Sequence, residues 1–380
     1  MKSVFSKLIF ILPFFVLVGC KKNESETVAK AEIAKNSIEY ASGLSIIKHD
    51  GYSVVTVSNP WPDAKTKFTY VLKEKEAQVP DSLQAYTTIK VPLESIVVTS
   101  TTNIPFLEML EVENKLVGFP HTDYVSSEKT RVLIDKGSVK NVGENEKLNI
   151  EKLIEASPDL IVTFGVDNNN AMLDNLKKSG LNVFIQADWM EQSPLGKAEW
   201  IKLYGALFGK EEMAKELFDK IVTSYNQAKK LVADKPSTST VLYGSMYQDL
   251  WYVARGNSWV AQFMNDAHAK YLWADLEGTG SAGLSFEKIL VKAKTANFWI
   301  ASGSFKTLDE FGKTNPHYTQ FDAFTAKNVY TFEGKLGATG GTVYYELAPS
   351  RPDLVLKDYI KIFHPELLPS YEFTFASKLN

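Results

Sequence analysis

Short apolar runs alternate with helical periods through most of this chain. Runs typical of buried strands lie at 96–98, 116–118, 160–164 and 183–185, and helical periods between them lie at 104–110, 150–156 and 173–178. This alternation indicates a mainly parallel sheet covered by helices. The same order returns between residues 241 and 363, after one long helical period over 210–232. We therefore predict an α/β fold with two lobes joined by one long helix.

The segment before the first lobe has a different pattern. Alternating apolar residues flank Asp50-Gly51, a dipeptide that favours a hairpin, and a third strand is predicted at 68–72. The predicted domains are a small N-terminal β segment with this hairpin (41–90), a Rossmann-like N-terminal α/β lobe (91–209), a connecting backbone helix (210–235) and a Rossmann-like C-terminal α/β lobe (236–380). Because ligands bind at the carboxyl ends of such strands, the gap between the lobes predicts an enclosed cleft.

The amino end of the chain has the pattern of an export signal. Lys2 and Lys7 precede an apolar run over 8–18, which is shorter than the roughly 20 residues that span a bilayer. The run ends in Leu-Val-Gly-Cys, which matches the bacterial lipobox and contains the chain's one cysteine, Cys20. We expect a lipoprotein signal peptide (1–19), an acylated Cys20 and a flexible tether (20–40). The expected product is an exported bacterial lipoprotein, membrane-anchored in the periplasm; the alternative is an incidental cysteine beside a plain signal peptide.

Composition narrows the class of function. The 380 residues contain 42 Lys plus Arg against 45 Asp plus Glu, a formal net charge of −3, so nucleic acid is not an expected partner. A single cysteine excludes a cysteine-based zinc site, and the 5 histidines are scattered. Sequence motifs of P-loops, nucleophile elbows and dinucleotide sites do not occur. We expect a monomer with no catalytic residues, no resident cofactor and no metal held by the protein itself.

Two glutamates occupy equivalent places in the two predicted lobes. Glu151 and Glu287 each lie in the first turn of a predicted helix, two residues after the cap candidates Asn149 and Ser285. A carboxylate at this place also favours the helix dipole, so a structural role is the alternative for each glutamate. As a matched pair they fit two docking charges for a two-fold symmetric partner.

Aromatic residues follow several predicted strands at the ends that face the expected cleft. The candidate contacts are Phe119, His121, Phe164 and Trp189 in the first lobe, and Tyr243, Trp251, Trp259, Tyr344 and Tyr345 in the second. Together they suggest a pocket for a large, flat or ring-bearing ligand, whereas each ring taken alone is typical of a core. Arg351 adds a candidate charged contact; its alternatives are a pair with Asp353 or a cap of the last helix.

Three stretches resemble one family, the helical-backbone (class III) periplasmic substrate-binding lipoproteins of ABC importers for ferric siderophores, haem and cobalamin. Residues 96–106 (IVVTSTTNIPF) resemble its first strand and ligand-facing loop, and residues 148–164 (LNIEKLIEASPDLIVTF) resemble its helix that runs through Pro-Asp into a strand. Residues 345–351 (YELAPSR) resemble the aromatic-Glu segment that ends near a ligand-contacting arginine in cobalamin-binding members. The resemblance covers about residues 91–368, and leaves the N-terminal β segment outside the family core.

The resemblance implies roles for individual residues. It places Glu151 and Glu287 where the family meets arginines of the membrane permease. It places Thr101, Thr102, Phe164, Tyr243 and Arg351 at ligand-contacting positions. Two departures bear on the ligand: residues 281–283 (SAG) stand where cobalamin binders tend to carry tryptophan, and Arg131 is the first lobe's one arginine, which disfavours a strongly anionic catecholate.

The sequence thus predicts a lipid-anchored substrate-binding protein of an ABC importer. It would enclose an iron complex, a ferric siderophore or haem, between its lobes and deliver it to an inner-membrane permease. The same-class alternative is a cobalamin or corrinoid carrier. A lipid-anchored enzyme on the same two-lobed fold is the alternative from a different class, since fold does not fix function. A haem-capturing lipoprotein without a permease is the third.

Overall fold

The computed structural model describes residues 35–144, 147–168 and 171–380. The predicted signal peptide, Cys20 and residues 20–34 of the predicted tether lie outside the described residues. None of the helices in the described part of the chain is long and apolar enough to cross a membrane.

The N-terminal segment forms a four-stranded sheet. Its strands are Leu44–His49 (β1), Tyr52–Val57 (β2), Phe68–Glu74 (β3) and Thr87–Val91 (β4), in the order β1-β2-β3-β4. The predicted hairpin is confirmed, because β1 and β2 pair antiparallel around Asp50-Gly51 and Gly51 takes a φ of 73°. The sequence pattern did not reveal β4, which pairs parallel with β3 and runs past the predicted boundary at residue 90.

The predicted tether extends too far into the fold. Asn36 forms a β-bridge with Ile47, and Ile38 is buried in the core. The backbone amides of residues 39–41 donate to the carboxylate of Glu199, a fully buried side chain. Residues 35–40 therefore belong to the folded unit, and a distant buried carboxylate holds them there.

The first lobe is built on a five-stranded parallel sheet. The strands of the lobe are Ile96–Val98 (β5), Leu116–Phe119 (β6), Lys140–Asn141 (β7), Gly143–Glu144 (β8), Lys147–Leu148 (β9), Leu160–Thr163 (β10) and Val183–Ile185 (β11). Its helices are Ile104–Met109 (α1), Glu128–Asp135 (α2), Ile150–Ala156 (α3), Ala171–Lys178 (α4), Pro194–Glu199 (α5) and Ile201–Phe208 (α6). The sheet order is β11-β10-β5-β6-β7, and β8 and β9 form a separate antiparallel pair.

One helix of 22 residues, Glu211–Val232 (α7), follows the first lobe. Its buried side chains recur at helical spacing: Ala214, Phe218, Ile221, Tyr225, Ala228 and Val232. The Tyr225 hydroxyl donates to Asp266 of the second lobe at 2.7 Å, and Lys48 of the N-terminal sheet pairs with Glu211 at 2.9 Å. The helix also packs against α6 of the first lobe and the final helix, Pro352–Phe363, of the second, so it contacts both lobes, as the long apolar period predicts.

The second lobe repeats the parallel-sheet plan with an added antiparallel sheet. Its strands are Thr240–Tyr243 (β12), Ser245–Tyr247 (β13), Leu250–Ala254 (β14), Lys270–Tyr271 (β15), Ser281–Leu284 (β16), Phe298–Ala301 (β17), Val329–Thr331 (β18) and Ser377–Lys378 (β19). Its helices are Trp259–Asp266 (α8), Phe286–Ala293 (α9), Leu308–Thr314 (α10), Asp322–Thr325 (α11), Val343–Leu347 (α12) and Pro352–Phe363 (α13). The main sheet has the order β15-β12-β17-β18-β19 with β19 antiparallel, while β13, β14 and β16 form the smaller sheet. The predicted two-lobed α/β fold is confirmed.

Candidate functional site

A cleft between the lobes contains two recesses that share Thr101 and Tyr345. The larger has a volume of about 340 Å³ and the smaller about 230 Å³. The larger is lined by Thr99, Ser100, Thr101, Phe119, Tyr124 and Phe164 of the first lobe and by Gly340, Gly341, Thr342 and Tyr345 of the second. It therefore combines aromatic rings, hydroxyl groups and glycine backbone.

The parallel sheet explains why these first-lobe residues meet. Residues 99–101 follow β5, Phe119 ends β6 and Phe164 follows β10, and these three strands are neighbours. The carboxyl ends of parallel strands lie at the same edge, so residues distant in sequence reach one cleft. The Thr99 hydroxyl donates to Thr163 at 3.0 Å, which links the ends of β5 and β10.

The smaller recess contains a buried lysine and a buried aspartate. Lys197 donates to the backbone carbonyls of Asp188 and Trp189, both at 3.1 Å, and its ammonium lies 5.3 Å from the Trp259 ring centroid. Burial lowers the pKa of Lys197 and raises the pKa of Asp188, although each charge favours the other's ionised form. The Thr102 hydroxyl donates to Asp188 at 3.2 Å. The predicted contacts Thr101, Thr102, Trp189 and Trp259 thus lie together.

Three predicted aromatic contacts lie behind the cleft wall. Trp251 is fully buried, stacks on Trp299 at 5.2 Å and donates from its indole to the Tyr243 carbonyl, so it is a core residue rather than a lining residue. Tyr344 is buried with its ring 6.1 Å from Trp259. Tyr243 also lies outside the lining, where burial and then Glu333 raise its pKa to about 12. Sequence alone could not separate these rings from the exposed ones, because Trp251 lies within β14 and Tyr344 in α12, and the face that each presents depends on its neighbours in the fold.

His121 and Arg351 also lie outside the lining of both recesses. His121 approaches Tyr124 with ring centroids 5.1 Å apart, and its Nε2 lies 3.9 Å from Glu144. Arg351 donates to both carboxylate oxygens of Asp353, at 2.9 and 3.0 Å. The pairing alternative therefore describes Arg351 better than the ligand contact, because the buried Asp353 carboxylate occupies its guanidinium.

The larger recess is lined by uncharged residues alone. Each of the chain's arginines is occupied elsewhere: Arg131 donates to the Thr122 carbonyl, Arg255 to the Glu277 carbonyl and Arg351 to Asp353. Within residues 35–144, 147–168 and 171–380, no group of His, Cys, Asp or Glu is arranged to hold a metal ion. This recess therefore suits a bulky ligand with little net charge rather than a bare ion.

The two candidate docking glutamates lie exposed in first helical turns, as predicted. Glu151 lies in α3, where the Asn149 side chain accepts a hydrogen bond from the Lys152 amide at 3.0 Å. Glu287 lies in α9, where its own backbone amide and then the Ser285 hydroxyl lower its pKa. Each helix directly follows a strand of an antiparallel sheet, β9 or β16. The two lobes thus present equivalent carboxylates.

Several lining residues escaped the sequence analysis. These are Thr99, Ser100, Tyr124, Asp188, Lys197, Gly340, Gly341, Thr342 and Pro349. Thr99 and Ser100 could have been found, since they directly follow a predicted strand. Lys197 lies inside a helix, and Tyr124 and Gly340 lie in segments without strand or motif, so only the tertiary arrangement places them.

Residues 96–336 match the periplasmic binding protein family, and the chain therefore belongs to it. This is a family of solute-binding proteins of ABC transport, which sets aside the enzyme alternative. An uncharacterized lipoprotein of Methanocaldococcus jannaschii is 26% identical over 367 residues, which cover 90% of this chain and 85% of that protein.

Solved structures share the fold at lower identity. A periplasmic solute-binding protein of Staphylococcus epidermidis, described as possible iron-binding, is 22% identical with a TM-score of 0.57, covering 72% of this chain and 100% of that one. A periplasmic heme binding protein of Pseudomonas aeruginosa is 17% identical with a TM-score of 0.57, covering 76% and 98%. Both likenesses support the two-lobed architecture.

Proposed function

We propose that this chain is the lipid-anchored substrate-binding component of an ABC importer, and that it carries an iron complex to an inner-membrane permease. The observation that carries the proposal is the larger recess, whose lining has aromatic rings and hydroxyls but no charged side chain. Rings supply flat apolar contact area, and hydroxyls supply hydrogen bonds to ligand oxygens. The names of the Staphylococcus and Pseudomonas structures support an iron complex or haem as the class of ligand.

Within that class, the charges of the cleft favour a chelate that is close to neutral. Burying an uncompensated charge is expensive, and the arginines that would compensate a catecholate complex are engaged elsewhere. Burial and then Glu333 raise the pKa of Tyr345, which disfavours a phenolate ligand to iron. A ferric hydroxamate, whose own oxygens satisfy the metal, is therefore the preferred cargo.

A titration of the soluble form that begins at Lys21 tests this proposal. Tryptophan fluorescence, with an inner-filter control and calorimetry, would follow binding of a ferric hydroxamate, a ferric catecholate, haem and cobalamin. We expect one-to-one binding that is tightest for the hydroxamate, weakened at least tenfold by Tyr345→Ala and unaffected by Tyr86→Ala, whose side chain is similarly exposed. Binding of cobalamin alone would favour the corrinoid alternative, and no binding would refute the proposal.

The docking role of the two glutamates is a separate part of the proposal. Attraction between Glu151, Glu287 and permease arginines would weaken with added salt. We expect Glu151→Arg plus Glu287→Arg to abolish transport while ligand affinity stays unchanged. The matched control is Glu216→Arg plus Glu310→Arg, at exposed helix positions elsewhere. Retained transport in the first double variant would favour a haem-capturing lipoprotein without a permease, and lost ligand binding would make the glutamates structural.

A further inference from the structure

A carboxylate of the second lobe reaches the backbone of the first. Glu346 lies in α12 and is only 2% exposed. Its Oε2 accepts a hydrogen bond from the Ser126 amide and its Oε1 accepts one from the Ser127 amide, both at 2.8 Å. Two consecutive amides of one lobe therefore depend on one side chain of the other.

The other carboxylate near this turn, Glu108, is already paired with side chains, so the amides of Ser126 and Ser127 donate to Glu346. Ser127 is the N-cap of α2, and its hydroxyl donates to Glu108 of α1, as does the Thr130 hydroxyl. Glu108 thus accepts from the hydroxyls of Ser127 and Thr130, while Glu346 accepts from the amides of Ser126 and Ser127 and from the Ser126 side chain. Without Glu346 the amide of the buried Ser126 would lose its hydrogen-bond acceptor, and an unpaired buried amide costs free energy.

Glycines allow the two backbones to touch beside this carboxylate. A Cβ added at Gly337 would lie 2.5 Å from the Ser126 Cα, and one at Gly341 would lie 2.1 Å from the Tyr124 carbonyl oxygen. The Thr339 hydroxyl also donates to the Asp123 carbonyl at 2.7 Å. Gly337, Thr339 and Gly341 of the second lobe therefore lie directly against residues 123–126 of the first lobe.

The contact between Glu346 and the first lobe also positions part of the cleft wall. Gly340, Gly341, Thr342 and Tyr345 line the larger recess opposite Tyr124, and all four lie within six residues of Glu346. Separation of the lobes at this place would move those four residues away from the first-lobe wall. The larger recess therefore depends on this contact for the second-lobe part of its wall.

We propose that Glu346 is a positioning residue that latches the two lobes over the ligand cavity, so that opening for ligand entry or release breaks its two hydrogen bonds. The part of this inference that concerns the ligand rests on the proposed function. The latch itself does not, because it concerns two lobes of the free protein.

The latch can be tested without a ligand. Residues 35–380 form one compact unit, and the soluble form that begins at Lys21 contains no cysteine, so spin labels at Glu155→Cys and Lys313→Cys would report one distance between the lobes. We expect a single narrow distance in the parent protein. Glu346→Ala should raise the open population at least tenfold, whereas Glu346→Gln, which like the protonated acid keeps one acceptor oxygen, should leave it near the parent value. The exposed Glu372→Gln serves as the control.

A second pair of variants removes a donor instead of the acceptor. Ser127 has a φ of −63°, which suits proline, so Ser127→Pro deletes one donated amide while the second lobe stays unchanged. Ser127→Ala is its control, because it loses the same hydroxyl but keeps the amide. We expect more opening in Ser127→Pro than in Ser127→Ala. The latch would be overturned if Glu346→Ala gave the same distance distribution as Glu372→Gln, and Ser127→Pro the same as Ser127→Ala. If Glu346→Ala failed to fold, identical distributions for the two Ser127 variants would by themselves overturn it.

Ligand kinetics then connect the latch to the cavity. With ferric ferrioxamine B as the probe hydroxamate, Glu346→Ala should release the complex at least tenfold faster than Glu372→Gln. An open population that rises without any hydroxamate binding would refute the proposed function and leave the latch in place. Normal binding with unchanged distances and unchanged release would refute the latch alone.

Discussion

Trp61, in the loop between β2 and β3, packs against the segment that follows the cleft residue Phe164, and this contact yields a quantitative prediction. Trp61 is 1% exposed, and its indole donates to Asn168 at 2.9 Å. A Cβ added at Gly165 would lie 2.7 Å from Cε3 and 2.9 Å from Cζ3 of that indole. Gly165 directly follows Phe164, a lining residue of the larger recess. The perturbation is therefore Gly165→Ala, with and without Trp61→Leu.

The expected energies follow from this geometry. The added methyl falls about 1 Å short of the ordinary ~3.5–4.0 Å carbon contact, and such overpacking costs about 1–3 kcal/mol. Gly165 does not have a positive φ, so alanine adds no backbone strain there and gains about 0.4–1 kcal/mol from the unfolded state. We expect Gly165→Ala to lower the free energy of unfolding in the parent and to leave it equal or higher beside Trp61→Leu. The coupling should be about 1–3 kcal/mol.

Urea unfolding of the parent, both single variants and the double variant measures this coupling. Gly312→Ala is the matched control, because its methyl would meet an aromatic ring too, Phe324 at 2.8 Å in the second lobe. Its cost should be the same with and without Trp61→Leu. A coupling between positions 61 and 165 below about 0.5 kcal/mol, the limit of additivity, would refute the reasoning. Weaker hydroxamate binding by Gly165→Ala would indicate that the contact with Trp61 also positions Phe164.

Three further predictions concern other parts of the chain. Burial raises the pKa of Glu346 to about 7 and Glu108 acts in the same direction, while the Ser126 and Ser127 donors oppose it. Opening would return Glu346 to water and to its lower ordinary pKa, so the closed form binds the proton more tightly than the open form does. Acidification from about pH 7 to pH 5 should therefore increase the closed population measured by spin labels. Glu346→Gln should abolish this pH dependence. Glu199→Gln should lower the free energy of unfolding by about 3 kcal/mol and speed hydrogen exchange of the amides at 39–41, whereas the exposed Glu216→Gln should change neither. Cys20→Ser should abolish incorporation of a labelled acyl chain in cells, and acylation of the variant would contradict the lipobox assignment.

Sequence patterns sufficed wherever a local signal had a single physical meaning. Buried parallel strands appear as short apolar runs, Asp50-Gly51 supplies the positive φ of a hairpin turn, and a long 3.6-residue period identifies α7. The first-turn positions of Glu151 and Glu287 also followed from their cap residues. Each of these features depends on residues within one or two turns of the chain.

Contacts between distant segments could not be predicted in the same way. Trp251 and Trp259 look alike in sequence, yet one is in the core and the other lines the cleft, because the choice depends on which face of each element meets its neighbours. Residues 35–40 look like a tether in the sequence, and only the structure shows that Glu199 accepts hydrogen bonds from the amides of Glu39 and Tyr40. The preference of Arg351 for Asp353 likewise depends on the burial of that carboxylate.

The sequence by itself determined the two-lobed α/β plan, the long connecting helix, the helix-start glutamates and the family resemblance. Only the tertiary structure decided which rings line the cleft, that no arginine does so, and that Glu346 joins the lobes. The physical reason is that hydrophobic periodicity and capping act over a few residues. Burial and the pairing of polar groups are instead settled between segments that can lie more than two hundred residues apart, as are Ser126 and Glu346.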